Sequence, residues 1–114
     1  METTINYQNA IIAVLTDYKN YIGGARLQQT DDRIKVIADT QNHHYQLLVA
    51  GWKDGKYRFN VLFHFDIIDG KIWLQQNNTD ILIADELIEN GIPKDKIVLG
   101  FIAPSERLST GFAA

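Results

Sequence analysis

Two Asp-Gly pairs in the middle of the chain constrain the fold more than any other sequence feature. Asp54-Gly55 separates the alternating residues 43–52 from residues 57–68, and Asp69-Gly70 separates residues 57–68 from residues 71–76. A two-residue hairpin turn needs positive φ at both central positions, and Asp-Gly is among the pairs that adopt it most readily. The centre of the chain is therefore predicted to be an antiparallel meander.

The residues before the meander predict an amphipathic helix over positions 4–21. Its apolar side chains recur at steps of three and four residues, which places them on one stripe. The predicted stripe consists of Ile5, Ile11, Ile12, Leu15, Tyr18 and Ile22. Gly23-Gly24 ends this helix, a polar loop follows over residues 25–32, and the alternation of residues 33–39 predicts a strand.

The residues after the meander predict a second helix over positions 80–90, with Thr79 as its N-cap. A Gly-Ile-Pro sequence at residues 91–93 is a compact signal for the end of this helix. Its predicted buried stripe consists of Ile81, Ala84, Leu87 and Ile88. Residues 96–101 predict a short last strand, and residues 104–108 predict a helical turn.

These elements together predict an α+β fold in a single domain over residues 1–114. An antiparallel β-meander sheet packs against the N-terminal helix, and the second helix and a short C-terminal strand and turn complete the domain. A chain of this length buries about two thirds of the surface that its unfolded form exposes, which is enough for a core without covalent cross-links.

The chain has no cysteine, which excludes a disulfide scaffold, a thiol nucleophile and a cysteine-ligated zinc site. The absence of cysteine also fits a reducing compartment. No apolar run is long enough to span a membrane, and residues 1–4 begin no secretion signal. We therefore expect a cytoplasmic protein that does not insert into a membrane.

The charge balance argues against unaided binding to DNA. The chain carries 11 basic and 14 acidic side chains, a net charge of −3, and shows no basic stripe of the kind that nucleic-acid-binding domains use. Lys53, Lys56 and Arg58 cluster around one predicted turn and are the candidate contacts if DNA binds directly. The acidic surplus, which includes the second helix, suits either a basic protein partner or simply a solvated surface.

The two predicted turns also fix a register for the meander. Trp52 then pairs with Tyr57, and His43 pairs with Asp66, while Trp73 lies opposite Asp66 on the third strand. One face is predicted to be the core face, and it carries Tyr57, Phe59, Val61, Phe63, Phe65 and Ile67. The other face has an apolar middle formed by Leu47, Val49 and Leu62 and a polar end formed by His43, Tyr45, His64, Asp66, Trp73 and Gln75.

This second face is the candidate binding surface, and three interpretations of it remain open. A half-apolar sheet face suits a contact between two copies of the chain or cover by the second helix, and its polar end suits a hydrogen-bonded sheet face with a structural role. A carboxylate beside a histidine also suits a small-ligand site or an acid–base site at His43, His64 and Asp66. His43 and His44 are adjacent on a predicted strand and point to opposite faces, so we predict no metal site and no cofactor.

A set of ordered motifs runs along the chain from residue 43 onward. It consists of residues 44–48, 51–52, 64–67, 69–73, 79–80, 83–84, 86–87, 91–94, 97–101 and 110–113, together with Pro104 and Arg107. This set resembles the XisI-like family, the fdxN element excision controlling factor proteins of cyanobacteria. The first helix matches loosely, and residues 23–42 depart from the family pattern. The resemblance covers residues 43–113.

The resemblance implies an α+β fold and a role in site-specific excision of a DNA element during heterocyst development. It also implies an XisH-like protein partner that resembles a nuclease, and it supplies no catalytic residues. We therefore predict a non-enzymatic accessory protein that acts through this partner, forms a homo-oligomer such as a dimer, and contacts DNA only indirectly. Direct DNA binding, and a ligand or enzyme site at the histidine corner, are the alternatives.

Overall fold

The computed structural model describes residues 2–23 and 32–114, and within these ranges it has two α-helices and five strands. The helices are α1 (Glu2–Ile22) and α2 (Ile83–Glu89). The strands are β1 (Ile34–Asp39), β2 (His44–Lys53), β3 (Lys56–Ile68), β4 (Lys71–Asn77) and β5 (Ile97–Leu99). Short 3₁₀ turns cover Lys94–Lys96 and Pro104–Thr110. This element order confirms the predicted α+β fold.

The strands form one sheet in the order β1-β2-β3-β4-β5. The first four strands are an antiparallel meander, and β5 is parallel to β4. Both Asp-Gly turns have positive φ at each central residue, 53° and 77° at Asp54-Gly55 and 51° and 76° at Asp69-Gly70. The meander that these two pairs predicted is therefore confirmed, because both of them close two-residue turns.

Helix α1 packs across one face of the sheet, which we call the inner face. Its buried residues are Tyr7, Ala10, Ile11, Val14 and Leu15. Ile5 and Ile22 were placed on the buried stripe and are exposed, because the helix contacts the sheet along its middle turns. The helix ends at Gly23, whose N–H donates to the Lys19 carbonyl. Gly24 and residues 25–31 of the predicted polar loop lie outside the described residues.

Helix α2 begins at Ile83, three residues later than predicted, and its N-cap is Leu82 rather than Thr79. The correction has a local cause. The Asn77 side-chain oxygen accepts hydrogen bonds from the backbone and hydroxyl of Thr79, and the Thr79 hydroxyl accepts one from the Ile81 N–H. Thr79 is therefore held in a side-chain turn before the helix. The later start places Ile83 in the core and leaves Ile81 only partly buried.

The end of α2 follows the sequence signal. Gly91 has φ of 94°, its N–H donates to the Ile88 carbonyl, and the Ile92 N–H donates to the Leu87 carbonyl. These two bonds make a Schellman motif, and Ile92 packs into the core beyond it. Neither helix in residues 2–23 and 32–114 combines the length and apolarity needed to cross a membrane.

Two β-bulges interrupt the meander, and they are where the predicted register fails. Between β2 and β3, Leu48 pairs with Val61 as predicted, but Leu47 pairs with Phe63, so Leu62 is an extra residue in β3. A second shift between β3 and β4 makes Gln75 an extra residue in β4. Every pair beyond a bulge moves by one position relative to the regular register.

The bulge at Leu62 also exchanges the two faces of β3. Beyond it, Phe63 and Phe65 lie on the inner face and are fully buried. Before it, Tyr57, Phe59 and Val61 lie on the opposite, outer face, and the two aromatic residues are exposed. The prediction of a single core face formed by residues 57, 59, 61, 63, 65 and 67 is therefore wrong. The bulge divides that set between the two faces, because it breaks the period of two.

Candidate functional site

A cluster of His44, His64 and Asp66 lies on the outer face of the sheet, at the end of the β2–β3 hairpin away from its turn. His44 is the first residue of β2, and it pairs directly with Asp66 on β3. His64 is two residues before Asp66, so its side chain projects from the same face. Three strand positions therefore bring the three side chains together.

One carboxylate oxygen joins the two imidazole rings. His44 Nδ1 donates to Asp66 Oδ1 at 2.6 Å, and His64 Nε2 donates to the same oxygen at 2.7 Å. The two ring centroids lie 6.2 Å apart. Asp66 thus accepts two short hydrogen bonds at one oxygen, and this arrangement orients both rings.

Two glutamine side chains support the cluster. Gln46 Nε2 donates to His64 Nδ1 at 2.9 Å, and Gln75 Nε2 donates to Asp66 Oδ2 at 3.2 Å. A singly protonated imidazole satisfies both of these contacts of His64, because it accepts at Nδ1 and donates at Nε2. Both rings of the cluster and both oxygens of the carboxylate therefore have partners.

Burial differs across the cluster. The side chain of Asp66 is 14% exposed and that of His64 is 22% exposed, whereas that of His44 is 57% exposed. Within the described residues, no buried side-chain nitrogen or oxygen lacks a hydrogen-bond partner. The carboxylate therefore forms the sheltered base of the cluster, and His44 forms its solvent-facing side.

The hydrogen bonds shift the pKa values of two members in opposite directions. Burial pushes the pKa of Asp66 upward, but the hydrogen bonds from His44, His64 and Gln75 outweigh burial and hold this pKa below its ordinary value. The hydrogen bond to Asp66 raises the pKa of His44, with the nearby charge of Asp39 adding to the effect. Both shifts favour an ionised carboxylate beside a protonated His44.

These groups offer two kinds of chemistry. One ligand atom from each of His44, His64 and Asp66 lies within 4.8 Å of the other two, so the three could hold one metal ion. A carboxylate shared by two imidazoles can also hold or pass a proton.

Trp73 is the cross-strand neighbour of Asp66, and the guanidinium of Arg107 lies 5.0 Å from the centre of the Trp73 indole ring.

His43 does not belong to this cluster, contrary to the predicted register. It lies in the β1–β2 turn with φ of 62°, and its Nδ1 is 3.1 Å from the Tyr45 hydroxyl. The Asp39 carboxylate shapes this turn by accepting hydrogen bonds from the backbone N–H groups of Gln41 and Asn42. The backbone bond from Asn42 is the main reason that the pKa of Asp39 is lowered. His43 therefore stands on the helix side of the sheet, and His44 takes the place predicted for it.

Three residues predicted to line an exposed interface lie in the core instead. Tyr45, Leu47 and Leu62 are buried beneath α1 on the inner face. Tyr45 also reaches the helix through its hydroxyl, which donates to Gln8 Oε1 at 3.4 Å. The half-apolar face that the sequence suggested is thus the face that the N-terminal helix covers.

Lys53, Lys56 and Arg58 lie at the turn end of the β2–β3 hairpin, and all three are exposed. Lys53 pairs with Lys56, and Arg58 pairs with Gly51, so their side chains project from the inner side of the sheet. Lys53 and Arg58 line a cavity of about 520 Å³ that Asp80 also lines. The basic residues predicted as DNA contacts are therefore adjacent in the structure.

The sequence reasoning missed His44 and Gln46, and the missing information was the bulge. Leu47-Leu48 and Leu62-Phe63 are adjacent apolar pairs on neighbouring strands, and both members of each pair are buried. Such a pair interrupts an alternating pattern and signals a change of phase. A register shifted by one residue beyond these pairs would have placed His44 opposite Asp66.

Comparison with known proteins gives one consistent result. The family model described as "XisI protein" matches residues 1–114. A crystal structure of an XisI-like protein from Anabaena variabilis is 39% identical, with a TM-score of 0.79, and the match covers 97% of this chain and 98% of that one. The fdxN element excision controlling factor XisI from the same organism is 30% identical, with a TM-score of 0.76 and 97% of each chain covered. No curated protein matches.

Proposed function

Because the chain belongs to the XisI family, we propose that it is a non-catalytic factor that controls excision of a DNA element through a protein partner. The partner that we propose is an XisH-like protein, which would supply the contacts to DNA. The name of the relative from Anabaena variabilis supports the excision role. The exposed aromatic surface of the β2–β3 hairpin supports binding to a protein.

This surface, which we call the aromatic end, consists of Trp52, Tyr57 and Phe59 on the outer face. Their exposed fractions are 70%, 56% and 65%. Trp52 and Tyr57 are cross-strand partners with ring centroids 5.5 Å apart, and Phe59 follows on the same face. Large aromatic side chains supply much of the binding free energy at protein interfaces. Three of them on one uncovered sheet face therefore favour a protein partner.

The distribution of charge around the aromatic end favours the same partner class. The pleat places Trp52, Tyr57 and Phe59 on the outer face and the three neighbouring basic side chains on the inner side. A platform for single-stranded nucleic acid needs aromatic and cationic groups on one surface, because bases stack while phosphates pair. The two kinds of side chain are separated here, so the aromatic face suits an apolar protein surface.

Direct contact with DNA is the second candidate, and the adjacency of Lys53, Lys56 and Arg58 is the observation that favours it. Residues 50–61 contain three basic side chains and one acidic side chain, whereas the rest of the chain contains eight basic and thirteen acidic ones. This local positive charge is small compared with the footprint of a typical DNA-binding domain. We therefore rank it below the partner-mediated role.

Co-expression with an XisH-like protein tests the proposal. The chain carries an affinity tag, and light scattering measures the mass of whatever elutes, with the chain alone as the reference for self-association. We expect a complex of fixed stoichiometry. A well-expressed partner that does not co-elute would contradict the partner-mediated role.

Variants of the aromatic end then locate the contact. Trp52→Thr with Phe59→Thr keeps residues of high β propensity on exposed positions, so the fold should persist. Loss of an aromatic residue that acts as a binding hot spot costs about 2 kcal/mol or more, so we expect binding to weaken at least about 30-fold. Leu108→Thr removes an even more exposed apolar side chain, from the C-terminal 3₁₀ turn, and is the control. Equal effects of both variants would place the contact elsewhere.

The DNA alternative has its own measurement. Lys53→Gln, Lys56→Gln and Arg58→Gln together remove the local positive charge and leave the aromatic end intact. If DNA binds directly, the isolated chain binds duplex DNA at low salt, the affinity falls steeply as salt rises, and the triple variant flattens this dependence. We expect no such binding by the isolated chain.

A further inference from the structure

The cluster of His44, His64 and Asp66 brings two imidazole nitrogens and one carboxylate oxygen together on the outer face of the sheet. Asp66 Oδ1 lies 2.6 Å from His44 Nδ1 and 2.7 Å from His64 Nε2, and all three atoms lie within 4.8 Å of one another. The aromatic end, which we propose as the partner contact, contains none of these three residues.

The three ligand atoms are held by rigid elements. His44 starts β2, and His64 and Asp66 lie inside β3, where the antiparallel pairs His44–Asp66 and Gln46–His64 fix their spacing. Groups on paired strands are positioned more precisely than groups on loops. The pairing of β2 with β3 therefore holds the two imidazoles and the carboxylate close together on the outer face.

The ligand set selects a class of ion. Two imidazole nitrogens and one carboxylate oxygen suit zinc and neighbouring divalent transition metals, whereas calcium and magnesium prefer oxygen ligands alone. Three protein ligands leave the fourth tetrahedral position for water or an incoming group. We propose that His44, His64 and Asp66 form a binding site for one divalent transition-metal ion, with zinc as the best-suited ion.

The neighbouring groups fit this assignment. A metal bound at His64 Nε2 leaves the proton on Nδ1, which then donates to Gln46 once its amide presents the oxygen. Gln75 holds Oδ2 of Asp66, so Oδ1 is the oxygen that faces both imidazole nitrogens, and an ion there would replace the two hydrogen bonds that they now donate to it. Such supporting hydrogen bonds orient metal ligands and raise the affinity of the site.

An ion can enter with small side-chain movements. Tetrahedral bonds of about 2.0–2.2 Å separate neighbouring ligand atoms by roughly 3.3–3.5 Å, so the ion must push Asp66 Oδ1 away from both nitrogens by less than about 1 Å. The two nitrogens lie within 4.8 Å of each other and must approach by at most about 1.5 Å. His44 is more than half exposed, and its ring can move outward to allow this. The same exposure gives the ion a path from solvent.

Titration of the purified chain with zinc chloride tests the site, using protein freed of metal by a chelator and of any histidine tag. We expect binding to saturate at one zinc per chain and to raise the melting temperature. Cobalt substitution should give the visible absorption of a tetrahedral ion. Failure to saturate at one ion per chain would overturn the proposal.

Matched variants identify the ligands. His44→Gln changes the most exposed ligand and should abolish saturable binding, while Gln46→Ala should weaken it about 10- to 100-fold. His43→Asn is the control, because it removes the adjacent histidine and keeps a residue that tolerates positive φ. Zinc binding by His44→Gln that is as tight as that of the unmodified chain would exclude this site.

NMR of the unmodified chain tests the same site even if a variant fails to fold. The chain has only three histidines, so their ring proton signals can be resolved and assigned by NMR. We expect zinc to shift the signals of His44 and His64 and to leave that of His43 in place. A shift confined to His43, or no shift at all, would refute the proposal.

Discussion

The two ends of the β2–β3 hairpin use the same outer sheet face in opposite ways. At one end, His44, His64 and Asp66 bond to each other, and Gln46 and Gln75 complete the network. Beside the β2–β3 turn, the three large rings of the aromatic end are more than half exposed. Polar groups are thus satisfied within the chain, whereas the apolar surface is left uncovered. The polar groups of the cluster therefore need no partner for their hydrogen bonds, whereas the aromatic end offers apolar surface that a partner can cover.

The inner face is divided differently, because exposed Lys53, Lys56 and Arg58 lie at its turn end. It is apolar beneath α1 along the middle and the cluster end of the hairpin, where Tyr45, Leu47, Phe63 and Phe65 are fully buried. The bulge at Leu62 is what allows this, because it moves Phe63 and Phe65 inward and turns His64 and Asp66 outward. A regular strand with the phase of residues 57–61 would direct the two phenylalanines outward.

Phe65→Ala should have the largest effect, since it removes a fully buried ring directly behind the cluster. We expect the free energy of unfolding to fall by about 3–5 kcal/mol, because both transfer free energy and packing are lost. Urea denaturation followed by circular dichroism measures it. Phe65→Leu keeps most of the volume and should cost less than about 1.5 kcal/mol. Equal losses for the two variants would show that the inner face at this end is not packed as described.

Asp66→Asn should come next, because it weakens two short hydrogen bonds at one oxygen. In metal-free buffer we expect a loss of about 1–3 kcal/mol. Because the pKa of Asp66 is lowered in the folded chain, its ionised carboxylate stabilises the fold fully above the ordinary aspartate pKa. This stabilisation is lost as the pH falls through the pKa of Asp66 in the folded chain. The pKa of His44 is raised in the folded chain, so its protonated ring stabilises the fold fully below the ordinary histidine pKa. This stabilisation is lost as the pH rises through the pKa of His44 in the folded chain.

The pH profile sharpens this prediction. Asp66 is ionised and His44 is protonated together between about pH 4 and pH 6.5, so the difference between the unmodified chain and Asp66→Asn should be largest there. Thermal unfolding of both proteins is measured from about pH 3 to about pH 8, so that the series extends beyond the window on both sides. A difference that does not vary with pH would mean that the carboxylate acts only through its shape.

The sequence predicted much of the backbone and less of the site, for a physical reason. Asp-Gly turns, the Gly91-Ile92 helix end and periodic apolar residues are local signals, and the elements they predicted are present. The bulge at Leu62 depends on how two strands and a helix pack together, which is a long-range property. One extra residue in β3 therefore replaced His43 with His44 in the cluster and brought Phe63 and Phe65 onto the face of Tyr45 and Leu47, which α1 covers.

The two Asp-Gly turns offer a comparison in which no difference is expected. Gly55 lies at the aromatic end and Gly70 at the cluster end, with φ of 77° and 76°, and a Cβ at either position would have no atom within 4 Å. Alanine at either position should therefore cost only the strain of the left-handed conformation, about 1 kcal/mol. Equal shifts in the urea midpoint would show that the two ends share their backbone and differ in side chains. A much larger cost at one turn would contradict this equivalence.

Phe59→Thr should have the smallest effect on stability, although Phe59 and Phe65 are the same residue type on the same strand. Phe59 is 65% exposed, so its removal takes little apolar surface out of the folded core, and threonine suits an exposed strand position. We expect the free energy of unfolding to change by less than about 0.5 kcal/mol. Urea denaturation of this variant beside Phe65→Ala makes the comparison within one strand. A loss approaching that of Phe65→Ala would mean that the aromatic end stabilises the isolated chain, and its exposed rings would then no longer argue for a partner.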